Sequence, residues 1–455
     1  MSDAARPAAP LTVLLVREML RLDAAAVGEP ALRKAELCVL DLLSCMFAGS
    51  VLPSARQAVA AARRWPCADG AAVVGAGVRV APAEAAFANS VQAVSAARTD
   101  MHAATTSHVG PVAIPAALAC AALRPISGEA WLAALVAAYE AHARVGRRIV
   151  NDRFMQHHRA TSVLGSVSGA IAAARVLGLD ETSAVHALSL SVNTAAGLME
   201  WGHAGSADLL YQPASASRNA TAAALLAEQG ATASHSILEG PGGLLAAFGG
   251  RAQAGQMRVP FADTPEIMRV EFKAVPACVF VQAAAFACAQ AADALGTVDP
   301  AQVRSIELAT YGSALRYPGC NDPGPITCVQ QARMSLQFTA AAVLAYGAVN
   351  DTAYAEFADA RTVALLPKVQ LRESTVFSSA YPARQGAEVV VTLADGRRAC
   401  GRVEQVPMVS EARVRERFLQ SAEPVVGRER ARAIEAACLS LREAASVAPL
   451  LSLLD

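Results

Sequence analysis

Residues 87–118 read FANSVQAVSAARTDMHAATTSHVGPVAIPAAL, and within this stretch an Ala-rich helical pattern stops and then restarts. At the break, two of the eight histidines, His102 and His108, lie close to Asp100 and several hydroxyl side chains. General acid–base catalysis needs such proton-handling groups. The alternative is the start of a helix, because Thr, Ser and Asp favour such positions in any protein. The pattern alone leaves both interpretations open.

The overall composition limits the classes of protein to which the chain can belong. Its 455 residues are 54% hydrophobic and 17% charged, and 39 basic and 39 acidic side chains give a formal net charge of zero. This length predicts two domains, and the apolar excess predicts extensive buried surface, including a subunit interface. A chain without net charge has no overall field to attract nucleic acid or an anionic membrane, so we expect neither as a partner.

Cysteine usage and the N-terminus indicate the cellular environment. The ten cysteines include no Cys-x-x-Cys pair and no Cys/His cluster with zinc spacing. We therefore expect no metal site, and buried thiols in a reducing compartment. The start, MSDAARPAAP, lacks the charged region and apolar run of a signal peptide, and no window reaches the roughly 18 apolar residues of a membrane helix. These features favour a cytoplasmic protein.

Helical periodicity dominates the chain up to about residue 260. Apolar residues at three- and four-residue spacing predict helices over 31–49, 81–97, 112–124, 128–149, 162–177, 181–198 and 214–229. Gly178 and Gly230 each follow an apolar run, as glycines do after the last residue of a helix. The sequence therefore predicts a large helical domain over residues 1–265, completed by the helical tail 406–455.

A different pattern begins after the glycine-rich loop that follows Glu239. Residues 301–312 alternate like a strand, and 387–394 and 397–405 flank an Asp-Gly turn that is typical of a hairpin. Residues 329–345 are helical again. We therefore predict a mainly α protein, in which a large all-helical domain is joined by a smaller α/β domain over 266–405.

Several segments, in this order, resemble the MmgE/PrpD family, whose members include 2-methylcitrate dehydratase, cis-aconitate decarboxylase and iminodisuccinate epimerase. The resembling segments are Phe87-Ala-Asn89, Asp100-Met-His102, His108-Val-Gly110, Ile114–Leu118, Ala138-Tyr-Glu140, Ala172–Asp180, Leu225–Gly230, Ile237–Gly240, Phe272-Lys273 with Pro276 and Cys278, Ala332–Phe338, and Tyr381-Pro-Ala383. Each is short, and their order and spacing over roughly residues 30–420 carry the resemblance.

The resemblance implies a helical large domain, an α/β lid domain, a homodimer and an active site in the cleft between the domains. It also implies that the substrate is a small di- or tricarboxylate. The chemistry of the family would need neither a cofactor nor a metal.

Four residues are the candidate catalytic groups. Chemistry of this kind starts by removing a proton from the carbon next to a carboxylate, a task that suits histidine. His108 matches the family's proposed catalytic histidine, Asp100 could orient a histidine, and His102 could donate to a substrate oxygen. Lys273, in an apolar segment, could neutralise a substrate carboxylate. The alternatives are a helix-capping histidine, an ordinary loop aspartate and a solvent-facing lysine.

Departures from the family pattern point to an altered substrate site. Where family members carry an acid, a histidine and a lysine, this chain has Ala97, Arg159 and Leu209. Each lost charge-assisted hydrogen bond costs about 1.5–3 kcal/mol, so we do not expect 2-methylcitrate as the substrate. The predicted substrate-binding residues are Arg98, Arg159, Thr161, His203 and Gln282. Both arginines suit bidentate carboxylate binding, although solvated surface positions are an equal alternative.

These residues favour a lyase that eliminates water from a small hydroxy-carboxylate. Three alternatives stay open at this point. The first is an isomerase or epimerase that uses the same proton abstraction, and the second is a decarboxylase. The third is a catalytically degenerate homologue that binds a carboxylate without turning it over.

Overall fold

The computed structural model describes residues 9–249, 264–296, 299–347 and 351–455. It is 63% helical with 10% strand, which confirms a mainly helical protein with a smaller α/β part. The predicted domain boundaries stay predictions.

The first part of the chain is built of helices with short β pairs between them. Its helices are α1 Leu11–Arg21, α2 Ala24–Val27, α3 Glu29–Ser50, α4 Pro53–Ala62, α5 Pro82–Ser95, α6 Gly110–Ala121, α7 Gly128–Ile149, α8 Asp152–His157, α9 Ala160–Val176, α10 Glu181–Val192, α11 Glu200–Ala204, α12 Tyr211–Glu228 and α13 Leu244–Ala247. Its strands are β1 Pro66–Val73, β2 Val78–Val80 and β3 Met101–His102.

Capping chemistry explains why several of these helices begin and end where the sequence predicts. The Ser127 hydroxyl accepts from the Ala130 amide at 3.2 Å at the start of α7, and Asp180 accepts from Ser183 at 2.8 Å at the start of α10. Gly178 and Gly230 have φ of 68° and 88°, the left-handed backbone that favours glycine after a helix.

The second part carries a sheet, and the chain then returns to helices. The elements are β4 Val270–Glu271, α14 Gln282–Leu295, β5 Val303–Thr310, α15 Gly312–Arg316, α16 Val329–Met334, α17 Leu336–Tyr346, α18 Asp351–Ala355, α19 Ala360–Leu365, β6 Val369–Glu373, α20 Thr375–Ala380, β7 Ala387–Leu393, β8 Arg398–Val403, α21 Glu411–Val426, α22 Arg428–Leu439 and α23 Ala448–Leu454. The strand order is β6-β5-β7-β8; β5 and β6 are parallel, and the other pairs are antiparallel.

Two clusters of buried apolar side chains organise the molecule. The helical cluster joins residues between Leu11 and Phe272 to the C-terminal helices, where Phe418 of α21 meets Phe47 of α3 edge-on at 6.0 Å. The sheet cluster covers α14 and α17 against β5, β7 and β8, and it also takes in Met101 from β3. Met101, from the first part of the chain, thus packs in the hydrophobic core of the second part.

The sheet confirms some predictions and adds elements that the sequence did not reveal. The predicted strand and hairpin are present as β5, β7 and β8, and Gly396 in the turn has φ of 88°. The hairpin β1–β2 lies in the part predicted to be all helical, and β6 was not predicted. The single helix predicted over 329–345 is two helices, because Ser335 leaves the helical conformation and its hydroxyl caps α17 through the Phe338 amide.

No single helix in the described ranges is both long and apolar enough to cross a membrane. Helices α3 and α4 together are long and apolar enough, but the chain bends by 94° at the break between them.

Candidate active site

A two-residue ladder brings together the two segments that carry the leading candidates. β3 pairs antiparallel with β4, with Met101 opposite Glu271 and His102 opposite Val270. The loop that carries His108 follows β3, and the segment that carries Lys273 follows β4. Both segments therefore leave the same ladder and line one cavity.

The backbone on both sides of β3 is strained. Ala97 has φ of 55° and Thr106 has φ of 45°, a region that residues with a Cβ rarely adopt. Each such residue costs on the order of 1–2 kcal/mol, and strain of this kind concentrates at functional sites. Both residues line the cavity, which indicates that the surrounding packing holds this loop in one particular shape.

The cavity lies between the helical and the sheet clusters and encloses about 810 Å³, counted out to its mouth. Three basic side chains line it, Arg159, Lys273 and Arg333, and none of its described lining residues is acidic. The rest of the lining is mainly apolar, with a few hydroxyl groups. A site of this size with convergent cations suits a small anion.

His108 is held in the tautomer that a general base needs. Its Nδ1 lies 2.5 Å from the Asp100 carbonyl oxygen, which can only accept, so Nδ1 carries the proton. Its amide donates to the Thr161 hydroxyl at 3.1 Å. Burial, together with the charge of Lys273, lowers the pKa of His108 well below its usual value. The neutral ring then leaves Nε2 unprotonated, and none of the described side chains forms a hydrogen bond with it.

Asp100 orients His108 through its main chain rather than through its carboxylate. The carboxylate accepts from the Tyr139 hydroxyl at 2.6 Å and from the Gly110 amide at 3.1 Å, at the start of α6. Burial raises the pKa of Asp100, although these hydrogen bonds oppose the shift. The carboxylate forms no hydrogen bond with either imidazole. The structure therefore does not contain the expected contact between this carboxylate and His102 or His108.

Lys273 presents a buried ammonium to the cavity. The residue is only 7% exposed, and burial lowers the pKa of its ammonium to about 8. Within the described part of the chain, the ammonium has no hydrogen-bond or ion-pair partner. Its carbonyl oxygen accepts from the Arg417 guanidinium at 2.6 Å, so α21 fixes the backbone at this position. An unpaired buried cation is costly unless an anion binds beside it.

Arg159 and Thr161 also lie where the sequence analysis predicted substrate contacts. The Arg159 guanidinium lies 5.4 Å from the Trp201 ring centroid and donates to the Leu209 carbonyl. Burial lowers the pKa of Arg159 to about 10, and the group remains a cation at neutral pH. Thr161 lines the cavity at the start of α9. Two of the five predicted substrate-binding residues are therefore in position to contact a ligand.

His102 lies outside the cavity lining, in a buried hydrogen-bond network. Its Nδ1 lies 2.8 Å from the Thr105 hydroxyl, and its Nε2 lies 3.0 Å from a Glu266 carboxylate oxygen. The Thr105 hydroxyl is also hydrogen-bonded to the Ser107 hydroxyl, at 2.6 Å. This position indicates that His102 supports the loop that carries His108, and it gives no contact with a substrate oxygen.

Three further candidates are also not brought into the cavity lining. Arg98 turns towards Asp351, with 4.0 Å between the charged atoms, and His203 is exposed on α11. The Gln282 side-chain amide bonds to the backbone of residues 275–278. Its oxygen accepts from the Val275 amide at 2.9 Å, and its nitrogen donates to the Val275 carbonyl at 2.9 Å. Gln282 thus shapes the segment that follows Lys273.

The sequence analysis did not select Arg333, although it lines the cavity. Its guanidinium donates to the Ser95 carbonyl at 2.9 Å and to Asp351 at 3.4 Å, and its Nε is buried with no partner among the described residues. The available signal was a basic residue inside the Ala332–Phe338 segment. Arg333 adds a third cation to the site.

The fold and the cavity together define a two-part, mainly helical protein with a cavity lined by basic side chains. Residues 17–257 match the MmgE/PrpD N-terminal domain, and residues 275–442 match the MmgE/PrpD C-terminal domain. The chain belongs to the MmgE/PrpD family, as the sequence analysis predicted.

Two of the curated relatives that this chain resembles are named for the decarboxylation of cis-aconitate. The cis-aconitate decarboxylase-like protein oryM of Aspergillus oryzae is 27% identical over 486 residues, which cover 99% of this chain and 98% of that protein. The cis-aconitate decarboxylase of Aspergillus terreus is 27% identical over 229 residues, which cover 49% of this chain and 46% of that protein. These relationships support the family without determining the reaction.

The described residues contain no group of three or more His, Cys, Asp or Glu side chains arranged to hold a metal ion. The expectation of chemistry without a metal or cofactor stays a prediction.

Proposed function

We propose that the protein is a lyase that acts on a small compound with two or three carboxylate groups. In this proposal His108 exchanges a proton with the carbon next to a carboxylate. One observation carries the proposal, namely a neutral imidazole with a free Nε2 in a cavity whose described charged residues are all basic. Membership of a family that contains dehydratases and decarboxylases supports an enzyme of this class.

Each cation has a defined task in the proposed elimination. Arg159 and Arg333 hold the carboxylates that do not react, because guanidinium groups bind carboxylates with two parallel hydrogen bonds. His108 Nε2 removes the proton from the carbon next to the remaining carboxylate. The Lys273 ammonium stabilises the negative charge that develops on that carboxylate. The same ammonium gives a proton to the departing hydroxyl group, which leaves as water.

Decarboxylation is the second candidate, and the names of the relatives favour it. Here one carboxylate leaves as CO₂, and the carbon that keeps the electron pair takes a proton from the Lys273 ammonium. Phe280 and Val279 belong to the apolar part of the lining. A carboxylate pressed against such a surface loses stabilisation relative to neutral CO₂. Loss of CO₂ and loss of water are both lyase reactions at the same site.

The test is an assay of the purified protein with a panel of small hydroxy-tricarboxylates and unsaturated tricarboxylates, including citrate and cis-aconitate. Release of CO₂ identifies decarboxylation, and an unsaturated product without CO₂ identifies dehydration. We expect His108→Gln to lower kcat by about 10²–10⁴-fold, the usual contribution of a general base.

The matched control is His235→Gln, because His235 is exposed and meets the His186 ring edge-on, outside the cavity lining. It should keep the wild-type rate. Dehydration that proceeds at the wild-type rate in His108→Gln, or no turnover of any carboxylate in the panel, would refute the proposal.

A further inference from the structure

Two cysteines that the proposed mechanism does not use face each other at the wall of the cavity. The sulfur atoms of Cys278 and Cys320 lie 3.9 Å apart. The Cys278 amide donates to the Arg333 carbonyl at 2.9 Å, and the Leu336 amide donates to the Cys320 carbonyl at 2.9 Å. Both cysteines are therefore tied to the junction of α16 and α17, which keeps their sulfur atoms close to each other.

The two thiols have different surroundings. Cys278 lines the cavity together with Lys273 and Arg159, whereas Cys320 is fully buried behind it. A hydrogen bond from Cys320, together with Lys273, lowers the pKa of Cys278 although burial opposes it, and burial raises the pKa of Cys320. A thiolate is the reactive form of cysteine. Cys278 is thus the reactive partner, and Cys320 is placed to attack it in a second step.

We propose that Cys278 and Cys320 form a peroxide-oxidisable thiol pair whose disulfide inactivates the site. The cavity that admits a substrate also admits hydrogen peroxide to Cys278, whereas Cys320 has no exposed surface. Among the described residues that line the cavity, Cys278 is the only cysteine. Reaction therefore begins at Cys278.

The oxidation has two steps. The Cys278 thiolate attacks one oxygen of hydrogen peroxide, so that an S–O bond forms, the O–O bond breaks and hydroxide leaves. Cys278 becomes a sulfenic acid, oxidised by two electrons, and the peroxide is reduced. The Cys320 sulfur then attacks the Cys278 sulfur while its proton goes to the hydroxyl group, which leaves as water. In total, two thiols and one peroxide give one disulfide and two waters.

Formation of the bond must move the wall of the site. The sulfur atoms have to approach by about 1.9 Å to reach the bond length of about 2.05 Å. Residues 274–278 connect Cys278 to Lys273, and the Gln282 amide ties them together through Val275 and Cys278. The displacement therefore reaches the backbone next to Lys273. The resulting loss of turnover rests on the proposed function, whereas the disulfide itself does not.

The first measurement is disulfide mapping by mass spectrometry after the reduced protein is treated with hydrogen peroxide. We expect the Cys278 and Cys320 peptides to be joined, at a mass about 2 Da below their sum because two hydrogen atoms are lost. Cys320→Ser should lose this link and leave a sulfenic acid at Cys278 that dimedone traps. Cys400→Ser is the control, since Cys400 is exposed on β8 and does not line the cavity, and it should form the link as the wild type does.

The second measurement is turnover before and after peroxide, and again after a dithiol reductant. We expect the wild type and Cys400→Ser to lose turnover and to recover it fully, whereas Cys320→Ser should not recover after prolonged treatment because its sulfenic acid is oxidised further. If the wild type does not form the link, the thiol pair is overturned whether or not the protein turns over a carboxylate. If the link forms in a protein that turns over nothing, the thiol pair stands and the lyase proposal fails.

Discussion

His108 and Lys273 both have lowered pKa values, and these shifts set the two pH limits of the proposed reaction. Burial and the Lys273 charge lower the pKa of His108 well below 6.5, so the neutral base persists as the pH falls below that value. Burial lowers the pKa of Lys273 to about 8, so its positive charge is lost as the pH rises through 8. The base limits the acidic side of the profile, and the ammonium limits the alkaline side.

We therefore predict that kcat/KM, which reports the free enzyme, stays high below pH 6.5 and falls above about pH 8. In Lys273→Arg the whole profile should be lower, because a guanidinium does not give up a proton to the leaving group, and the remaining alkaline fall should move up, because a guanidinium keeps its charge beyond about pH 12. The measurement is kcat/KM from about pH 5 to 10 for both proteins. An alkaline fall at the same pH in Lys273→Arg would show that another group causes it.

At the residue scale, some candidates could be found from the sequence and others could not. His108 and Lys273 stand in segments that resemble the family, and the structure brings both to the cavity. His102 stands in such a segment as well, but side chains alternate along a strand. In β3, Met101 faces the cavity and His102 faces Glu266. The sequence contains both residues and does not reveal which of the two faces the ligand.

At the element scale, Glu266, which lies four residues before β4, helps to hold the β3–β4 ladder together. Its carboxylate accepts from His102 at 3.0 Å and from Arg147 at 2.8 Å. Burial alone would raise the pKa of Glu266, but the hydrogen bonds from His102 and Arg147 outweigh it and lower the pKa to about 2. The ionised carboxylate therefore stabilises the folded state above pH 4.5, the ordinary value, and this stabilisation is lost as the pH falls from 4.5 towards 2.

We predict that Glu266→Gln lowers the melting temperature at neutral pH and flattens its dependence on pH between 4.5 and 2. Thermal unfolding of both proteins across this range is the measurement. Glu429→Gln is the control, because Glu429 is exposed on α22, and it should unfold as the wild type does. Parallel curves for wild type and Glu266→Gln would contradict the role given to this carboxylate.

Local sequence pattern predicted the elements that have strong periodicity or distinctive turns. α7 and the hairpin β7–β8 are examples, since a capping serine and an Asp-Gly turn mark them. β6 has five residues and β2 has three, too few for a pattern to be seen. These strands form because a partner strand is nearby, and that information is not local in the sequence.

At the scale of the whole molecule, the apolar composition and the family resemblance predict a homodimer. Several large apolar side chains are exposed on the single chain, among them Trp65 at 62% and Leu198 at 65%. We predict that sedimentation equilibrium gives about 94 kDa, which is twice the chain mass of 46.9 kDa. A single species near 46.9 kDa at micromolar concentration would contradict the dimer.

The central claim is that one small carboxylate bridges the basic residues of the cavity while His108 reaches its carbon. A crystal structure of His108→Gln soaked with a tricarboxylate tests this claim most directly. The account predicts carboxylates on Arg159, Arg333 and Lys273, with a carbon of the ligand about 3–3.5 Å from the side chain at position 108. A ligand bound elsewhere, or one held by other residues with position 108 out of reach, would contradict it.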